Sequence, residues 1–594
     1  LMGNLPTMVN KALNKSTGGG SNAIYGVDGS PIVHDMFFKG PYDSGPVWHT
    51  ILMIPYGRGG KGFSILDVTE PDAPLHLQSV FNDTVTKNVY IVDSTGARAP
   101  LPYVGHDYAI NQLKESIQVT QNYAASPQIG SEVCNSTGND QCYESNVWTL
   151  DTDPKIPGLI KTDFEVFKDG NLITNFNINY DSNNDVVFTF GDTMRYVAYG
   201  DPNVSSSDLV IKIKTGAALG VTSEPRYDYS RLGETWSQPR IIRMPNQGAG
   251  DTNIEDDIYV AILGGGFGAQ NPAIGSGLFI LNLEIEPLSG LYGTVEQYID
   301  IEDIPNNGIV NSTPALPTVI TSDEISANFT GALVYLNDFE GKVTKFNLTN
   351  MLTDRDDNPI ALYENTTLFT AESTNINGRY MYHSMDAGRL KGSNNFWMYM
   401  GTGDYERLTA KNAGPGNPDF DNLLIGIRDK YFPYYQNVAT AQQADDLDDC
   451  SDTTTDEDGT LCPSSSQRGW VIHLSNSEKV TAEPTLNKGR ALFPIFQPTQ
   501  SVNTCATGKA FICNIDAKCG TPKNTEIGSA DDLDCLEVGT GVLSKIVVFG
   551  NKLFANIAGE ANTGSSQPGK TDLVSINAAI SLMESFRNSW RENF

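Results

Sequence analysis

The sequence predicts an all-β fold built from a repeated set of antiparallel strands, and three observations carry that prediction. Short apolar or alternating runs recur along the 594 residues: "HTILMIPY", "DVVFTF", "DLVIKIK", "DIYVAIL", "GLFILNL", "ALVYLND", "KVTKFNL", "FWMYMG", "WVIHL" and "KIVVFG". At roughly five to eight residues each, rich in β-branched and aromatic side chains, they have the length and composition of strands. Gly, Pro, Asn and Asp punctuate them, as turns require. Helical periodicity is scarce. The best helical candidate is the tail "TDLVSINAAISLMESF", where Ile576, Ile580 and Met583 share a face.

A degenerate repeat orders these strands. "DGSPIVHD", "TWSQPRIIR" and "NSTPALPTV" each set a Ser or Thr near a Pro and then a strand. Each leads to a second strand, a Gly- or Asp-containing turn, and a third strand: "KGFSILDV", "GLFILNLE" and "GKVTKFNL". A sheet of three or four strands cannot bury both faces alone and must stack on its neighbours, which is what a β-propeller blade does. Residues 1–594 therefore read as a single modified β-propeller domain, incomplete at its start, with loop insertions near 105–165, 440–466 and 500–540.

Composition narrows the function. With 39% hydrophobic residues the chain can bury a substantial core. Forty basic against 71 acidic residues give a net charge of -31, which repels nucleic-acid phosphates and anionic membrane surfaces and suits divalent cations or salty surroundings. The eight cysteines lack the paired spacings and histidine partners that zinc prefers. Short-loop disulfides fit better: Cys134 with Cys142, Cys450 with Cys462, and two bridges among Cys505, Cys513, Cys519 and Cys535. Such bridges point to an oxidising compartment outside the cytoplasm. No apolar run approaches the ~20 residues that span a bilayer. The opening "LMGNLPTMVNKALNK" reads as a fragment start, with any export signal already removed.

Two motifs suggest nucleotides and fail on context. Gly564 and Gly569-Lys570-Thr571 satisfy the phosphate-loop pattern, but only 23 residues follow Thr571 and the chain lacks the βα units such a loop serves. Gly57, Gly59 and Gly62 satisfy the dinucleotide fingerprint, yet the strand "FSILDV" follows where a helix must open. That segment reads as a hairpin turn. His34, His49, His76, His106, His383 and His473 form no H-E-x-x-H motif and no close pair, and no G-x-S-x-G elbow is present. The sequence singles out no enzyme site. Trp48, Trp148, Trp236, Trp397, Trp470 and Trp590 read as core or blade-stacking residues.

At the repeated strands the chain resembles the PilY/PilC proteins of type IV pili. The resemblance runs in the family's order through "YGVDGSPIVHD", "WHTILMIPYGRGGKGFSILDVTEP", "LGETWSQPRII", "NSTPAL", "LNDFEGKVTKFNL", "MYMGTGDYE…LLIGIRD", "RGWVIHLSNSEKV" and "SWREN". It implies a quinoprotein-like propeller at the carboxyl end of a longer protein, without the family's amino-terminal region and the strand that usually begins the propeller. It also implies an extracellular role at the pilus tip: supporting pilus biogenesis, docking on minor pilins, adhering to host or abiotic surfaces, and being modulated by calcium. The alternatives are a periplasmic quinoprotein-like oxidoreductase, although the adjacent cysteine pair common beside a quinone is absent, and a free surface-binding propeller.

The family's calcium loops resemble D-x-D-x-D-G-x-x-D. In "NINYDSNND" the matching positions are Asn177, Asn179, Asp181 and Asp185, with the carbonyl of Asn183 between the last two. Calcium accepts amide, carboxylate and backbone oxygens in such a loop. Two Asn stand where the family has Asp, and Ser182 where it has Gly, which predicts weaker binding. The alternative is an Asx-rich hairpin whose side chains cap their own backbone. A second loop offers Asp251, Asn253 and Asp257, with Ala249 at its first ligand position. Asp456 and Asp458 read as a solvated acidic loop.

Overall fold

The structure, a computed structural model, describes residues 26–102 with short gaps and strand segments between 117 and 213. It also describes residues 227–577, apart from 247–256, 269–273, 285–292, 302–310, 322–329, 391–394, 410–419, 452–468, 500–507, 521–534, 560–572 and a few isolated positions. Among the described residues there are strands, turns and short 3-10 turns, and no α-helix.

Among the described residues six largely antiparallel sheets follow one another in chain order, with a short parallel strand at the edge of two of them. Sheet I is a meander of Ile32–Phe38, Val47–Pro55, Gly62–Asp67, Leu75–Asp83 and Asn88–Asp93, extended by two short strands. Sheet II comprises Arg240–Met244, Ile258–Gly264, Leu278–Asn282 and Thr294–Ile299. Sheet III runs through Thr318–Thr321, Gly331–Asn337, Lys342–Thr349 and Asn365–Thr370, and sheet IV through Asp386–Arg389, Phe396–Gly401, Leu423–Asp429 and Gly469–His473. Sheet V centres on Arg490–Gln497, Lys509–Asp516 and Cys535–Thr540. Sheet VI contains Val547–Phe549, Lys552–Asn556 and Leu573–Asn577. Between sheets I and II the chain forms two further sheets, one of three strands and one of five that pairs Phe176–Tyr180 with Val186–Ala198.

Each consecutive pair of sheets shares an apolar layer. Met53, Phe63 and Ile91 of sheet I meet Ala261, Leu263 and Phe279 of sheet II, whose opposite face meets Val334 and Phe346 of sheet III. Leu333 and Val343 pack on Met398 and Ile425 of sheet IV; Tyr399 and Trp470 pack on Phe493 and Ile515 of sheet V; Ile512 and Val538 pack on Leu553 and Val574 of sheet VI. A strand covered on both faces has no solvent side, so it reads as an unbroken apolar run even in an antiparallel sheet. Every residue of Ile258–Gly264, Gly331–Asn337 and Phe396–Gly401 is buried accordingly.

The repeated Ser/Thr has a defined task. Thr235, between sheets I and II, donates to the Gly62 carbonyl at 2.6 Å and accepts from the Tyr56 amide at 2.9 Å, clasping the turn of sheet I. Thr313, between sheets II and III, donates to the Gly277 and Gly275 carbonyls at 2.8 and 3.0 Å, clasping sheet II in the same way. The Gly57–Gly62 segment is the hairpin turn expected of it, and Gly57 has φ 61°, a conformation that favours glycine. Of the tail expected as a helix, Leu573–Asn577 instead pairs in register with Lys552–Asn556 as an antiparallel strand, and the rest, with Ile580 and Met583, lies outside the described residues. Over "LVSIN" the two-residue alternation of Val574 and Ile576 prevails, because Val574 buries against sheet V.

Candidate functional site

Where the turns of sheets I to IV come together, six aromatic rings gather: Trp236, Phe267, Phe339, Tyr380, Tyr382 and Tyr405. The sheet-joining segments place each of them. Glu234 and Phe267 exchange backbone hydrogen bonds at 2.8 Å, and the Trp236 indole donates to the Glu234 carboxylate at 3.0 Å. Phe339 sits in a tight turn where the Lys342 amide donates to Asp338 at 2.9 Å, and its own amide donates to the Ser312 carbonyl at 2.7 Å. Asn311 donates to both Asp338 and Glu340 beneath that turn. Burial pushes the Asp338 carboxyl up to about 7. The Gly403 amide donates to the Tyr380 carbonyl at 2.9 Å, and the Tyr382 hydroxyl donates to Asp404 at 3.1 Å.

The rings form platforms. Trp236 stacks on Phe267 at 4.6 Å and Phe339 on Tyr380 at 4.6 Å, while Tyr382 meets Phe339 edge-on at 4.7 Å. The Arg58 guanidinium from the sheet I turn lies 4.3 Å from the Trp236 ring centre and pairs with Glu406 at 2.5 Å. His383 lies edge-on to Tyr405 at 5.1 Å, and burial, aided by the Arg58 charge, lowers its pKa to about 4. Its imidazole is therefore neutral at physiological pH, and Nε2 is buried without a hydrogen-bond partner. Lys479 is fully buried with Nζ 4.0 Å from the Phe420 ring centre and no hydrogen-bond partner. Burial brings its pKa down to about 8 against the pull of Asp404. The cluster thus combines stacked apolar rings, both signs of charge, and two buried polar nitrogens without a hydrogen-bond partner among the described residues.

Sequence reasoning did not find this cluster. Its members run from Arg58 to Lys479, and only the stacking of sheets unites them. One signal was present: Trp236 sits beside the clasping Thr235 in "TWSQP".

The expected sites fare variously. Asn177 and Asn179 lie on Phe176–Tyr180 with exposed side chains, opposite Thr189 and Val187. Asp181, Asn183, Asp185, Asp251 and Asn253 lie outside the described residues, as do Asp456 and Asp458. The carbonyl of Asp257 accepts from Arg243 at 3.2 Å. Among the described residues no group of three or more His, Cys, Asp or Glu side chains is placed to hold a metal. Cys513 and Cys535, directly opposed on paired strands, form a disulfide, and Cys519 is also disulfide-bonded. Cys450 differs from expectation. It is a free buried thiol whose Sγ donates to the Cys519 carbonyl at 3.4 Å, so its bridge to Cys462 is not formed. Burial in the layer between sheets IV and V pushes that thiol up to about 12. Cys134, Cys462 and Cys505, and the side chain of Cys142, lie outside the description. Trp148, Trp397 and Trp470 are core residues, whereas Trp48 is 58% exposed on the outer face of sheet I and Trp236 lines the aromatic cluster.

Comparison with known proteins brings a partial match. No family model matches the chain. Over 72 residues it is 46% identical to the type IV pilus biogenesis factor PilY1 of Pseudomonas aeruginosa strain UCBPP-PA14, covering 11% of this chain and 6% of that protein. PilY1 of strain PAK is 44% identical over 71 residues, again 11% of this chain and 6% of the relative. The crystal structure of the P. aeruginosa PilY1 C-terminal domain aligns with a TM-score of 0.44 at 13% identity, over 93% of this chain and 86% of that one. Over that segment the chain is similar to the PilY1 type IV pilus biogenesis factors.

Proposed function

We propose that this chain is the β-propeller portion of a type IV pilus-associated factor that works outside the cell at the pilus tip, by contact and not by catalysis. One face docks on minor pilins and exposed loops meet a host or abiotic surface. The observation that carries this reading is the 46% identity to PilY1 over 72 residues. The propeller reading is supported by six sheets that share five apolar layers in chain order. The extracellular reading is supported by the Cys513–Cys535 disulfide.

Immunogold labelling of intact cells with an antibody against this chain tests the proposal. Gold at filament tips is the expected result. Gold scattered over the cell surface with bare filaments would favour a free surface protein, and labelling only after the outer envelope is opened would overturn the extracellular reading. Calcium joins the proposal through Asn177, Asn179, Asp181, Asn183 and Asp185, with Asp251, Asn253 and Asp257 as a second loop. Calcium titration should release heat with the wild type and much less with Asp181→Ala/Asp185→Ala. Equal heats would remove the first loop as a site.

A further inference from the structure

We propose that Lys345 and Asp429, buried between sheets III and IV, condense to an intramolecular isopeptide bond, a covalent modification that ties the two sheets together. The first support is placement. Lys345 lies within the strand Lys342–Thr349, and Asp429 ends the strand Leu423–Asp429. The Lys345 Nζ stands 2.6 Å from Asp429 Oδ2 and also donates to the Tyr434 carbonyl at 2.6 Å. The Tyr335 hydroxyl donates to that same Oδ2 at 2.8 Å. Amine and carboxyl are both held in place, and reactants fixed in contact react far faster than the same groups free in water.

The second support is dryness. Both side chains are only 1% exposed. Nζ lies 5.5 Å from the Tyr335 ring centre, and Tyr335, Phe396 and Phe432 stack in series there. An apolar site disfavours two charges and favours the neutral amine and acid that react; burial accordingly lowers the Lys345 pKa. Water excluded from the site cannot return to hydrolyse the product. The pairs Lys342–Glu340, Lys509–Glu537 and Lys545–Glu483 are each more exposed, so they stay ionic. The third support is Tyr335. Burial, with the Asp429 charge, raises its pKa, so its hydroxyl keeps the proton it offers to the reacting carboxyl. In the step, the ammonium passes a proton to Asp429 and Nζ attacks Cγ. Tyr335 donates to the developing oxyanion. One carboxyl oxygen then leaves as water with two of the three ammonium protons, and the third stays on the amide nitrogen. Nothing is oxidised or reduced. The structure shows the pair before reaction, and stability comparisons at the pair describe that unreacted chain, which its mass identifies.

Intact mass spectrometry of the purified, reduced chain tests this inference, which does not rest on the pilus reading. The wild type should be lighter than its sequence by one water, in a fraction that grows on incubation of the folded chain. Trypsin should then release Val343–Arg355 joined to Asp429–Lys430, because a bonded Lys345 resists cleavage. Lys345→Met/Asp429→Leu, an apolar pair that keeps the core filled, should show the full sequence mass. Asp429→Asn should close with loss of ammonia in place of water. Tyr335→Phe should slow closure about 100-fold, the scale of one positioned acid; an unchanged rate would overturn the role assigned to Tyr335. A folded wild type that keeps its full mass, or a loss of water that persists in Lys345→Met/Asp429→Leu, would overturn the proposal.

Discussion

Lys345 and Asp429 meet between sheets III and IV with both side chains only 1% exposed, Nζ to Oδ2 at 2.6 Å. The Tyr335 hydroxyl also donates to Asp429 at 2.8 Å, and Lys345 donates to the Tyr434 carbonyl at 2.6 Å. Water is excluded, so breaking the pair strands a charge. Asp429→Ala should cost about 3–5 kcal/mol in denaturant unfolding, whereas Lys345→Met/Asp429→Leu should cost far less. Equal losses in the two variants would show that packing, not charge, holds this spot. Lys479 poses the opposite case, a fully buried ammonium with no hydrogen-bond partner among the described residues. Its pKa falls from 10.5 to about 8 on folding, so between those values the unfolded chain binds a proton that the folded chain has released. Stability contributed by this group therefore rises with pH from about 8 to 10.5, and below 8 its full cost persists. Lys479→Met should raise Tm at pH 7 and flatten the rise above pH 8; a Tm unchanged at both would show that the ammonium is already solvated. Neither lysine declares itself in the sequence. "KVTKFNL" reads correctly as a strand, but the partner of Lys345 lies 84 residues away in the next sheet.

At the scale of elements, the strands were legible because burial on two faces leaves only apolar residues to choose from. All ten quoted runs contribute to strands. At Leu573–Asn577 the helical period of the tail misled, because the bonding edge of Lys552–Asn556 decides the matter there. Propensity is a weak prior against a partner strand. The clasping threonines explain why the repeat carries Ser or Thr before each new sheet. Thr235→Val and Thr313→Val keep the shape and remove the hydroxyl, so each should cost about 1 kcal/mol, and the pair should add. A loss confined to noise would assign the repeat to turn geometry instead. The Cys513–Cys535 bridge closes a sequence separation of 22 residues across neighbouring strands, and Cys513→Ser/Cys535→Ser should lower stability by about 2–4 kcal/mol. The sequence placed both cysteines in an insertion, yet they sit inside the strands of sheet V, one of them fully buried.

At the scale of the whole molecule, the six sheets are not equally held. Sheets II to V are covered on both sides, while sheets I and VI each turn apolar side chains outward: Val33, Phe37 and Trp48 on one, Val547, Phe549 and Leu573 on the other. Local opening free energy follows buried contact, so protection against hydrogen exchange should grade along the chain. Amides of Ile258–Gly264, Gly331–Asn337 and Phe396–Gly401 should exchange only with global unfolding, and those of Lys552–Asn556 and Leu573–Asn577 should exchange first. Sheet I should fall between, because its five main strands are longer and share the layer with sheet II. The aromatic cluster rests on the protected part, since Trp236, Phe267, Phe339 and Tyr382 belong to the turns of sheets II to IV, and a site on rigid elements holds its geometry. If sheet VI proved as slow to exchange as sheet IV, its outer face would have to be covered in solution.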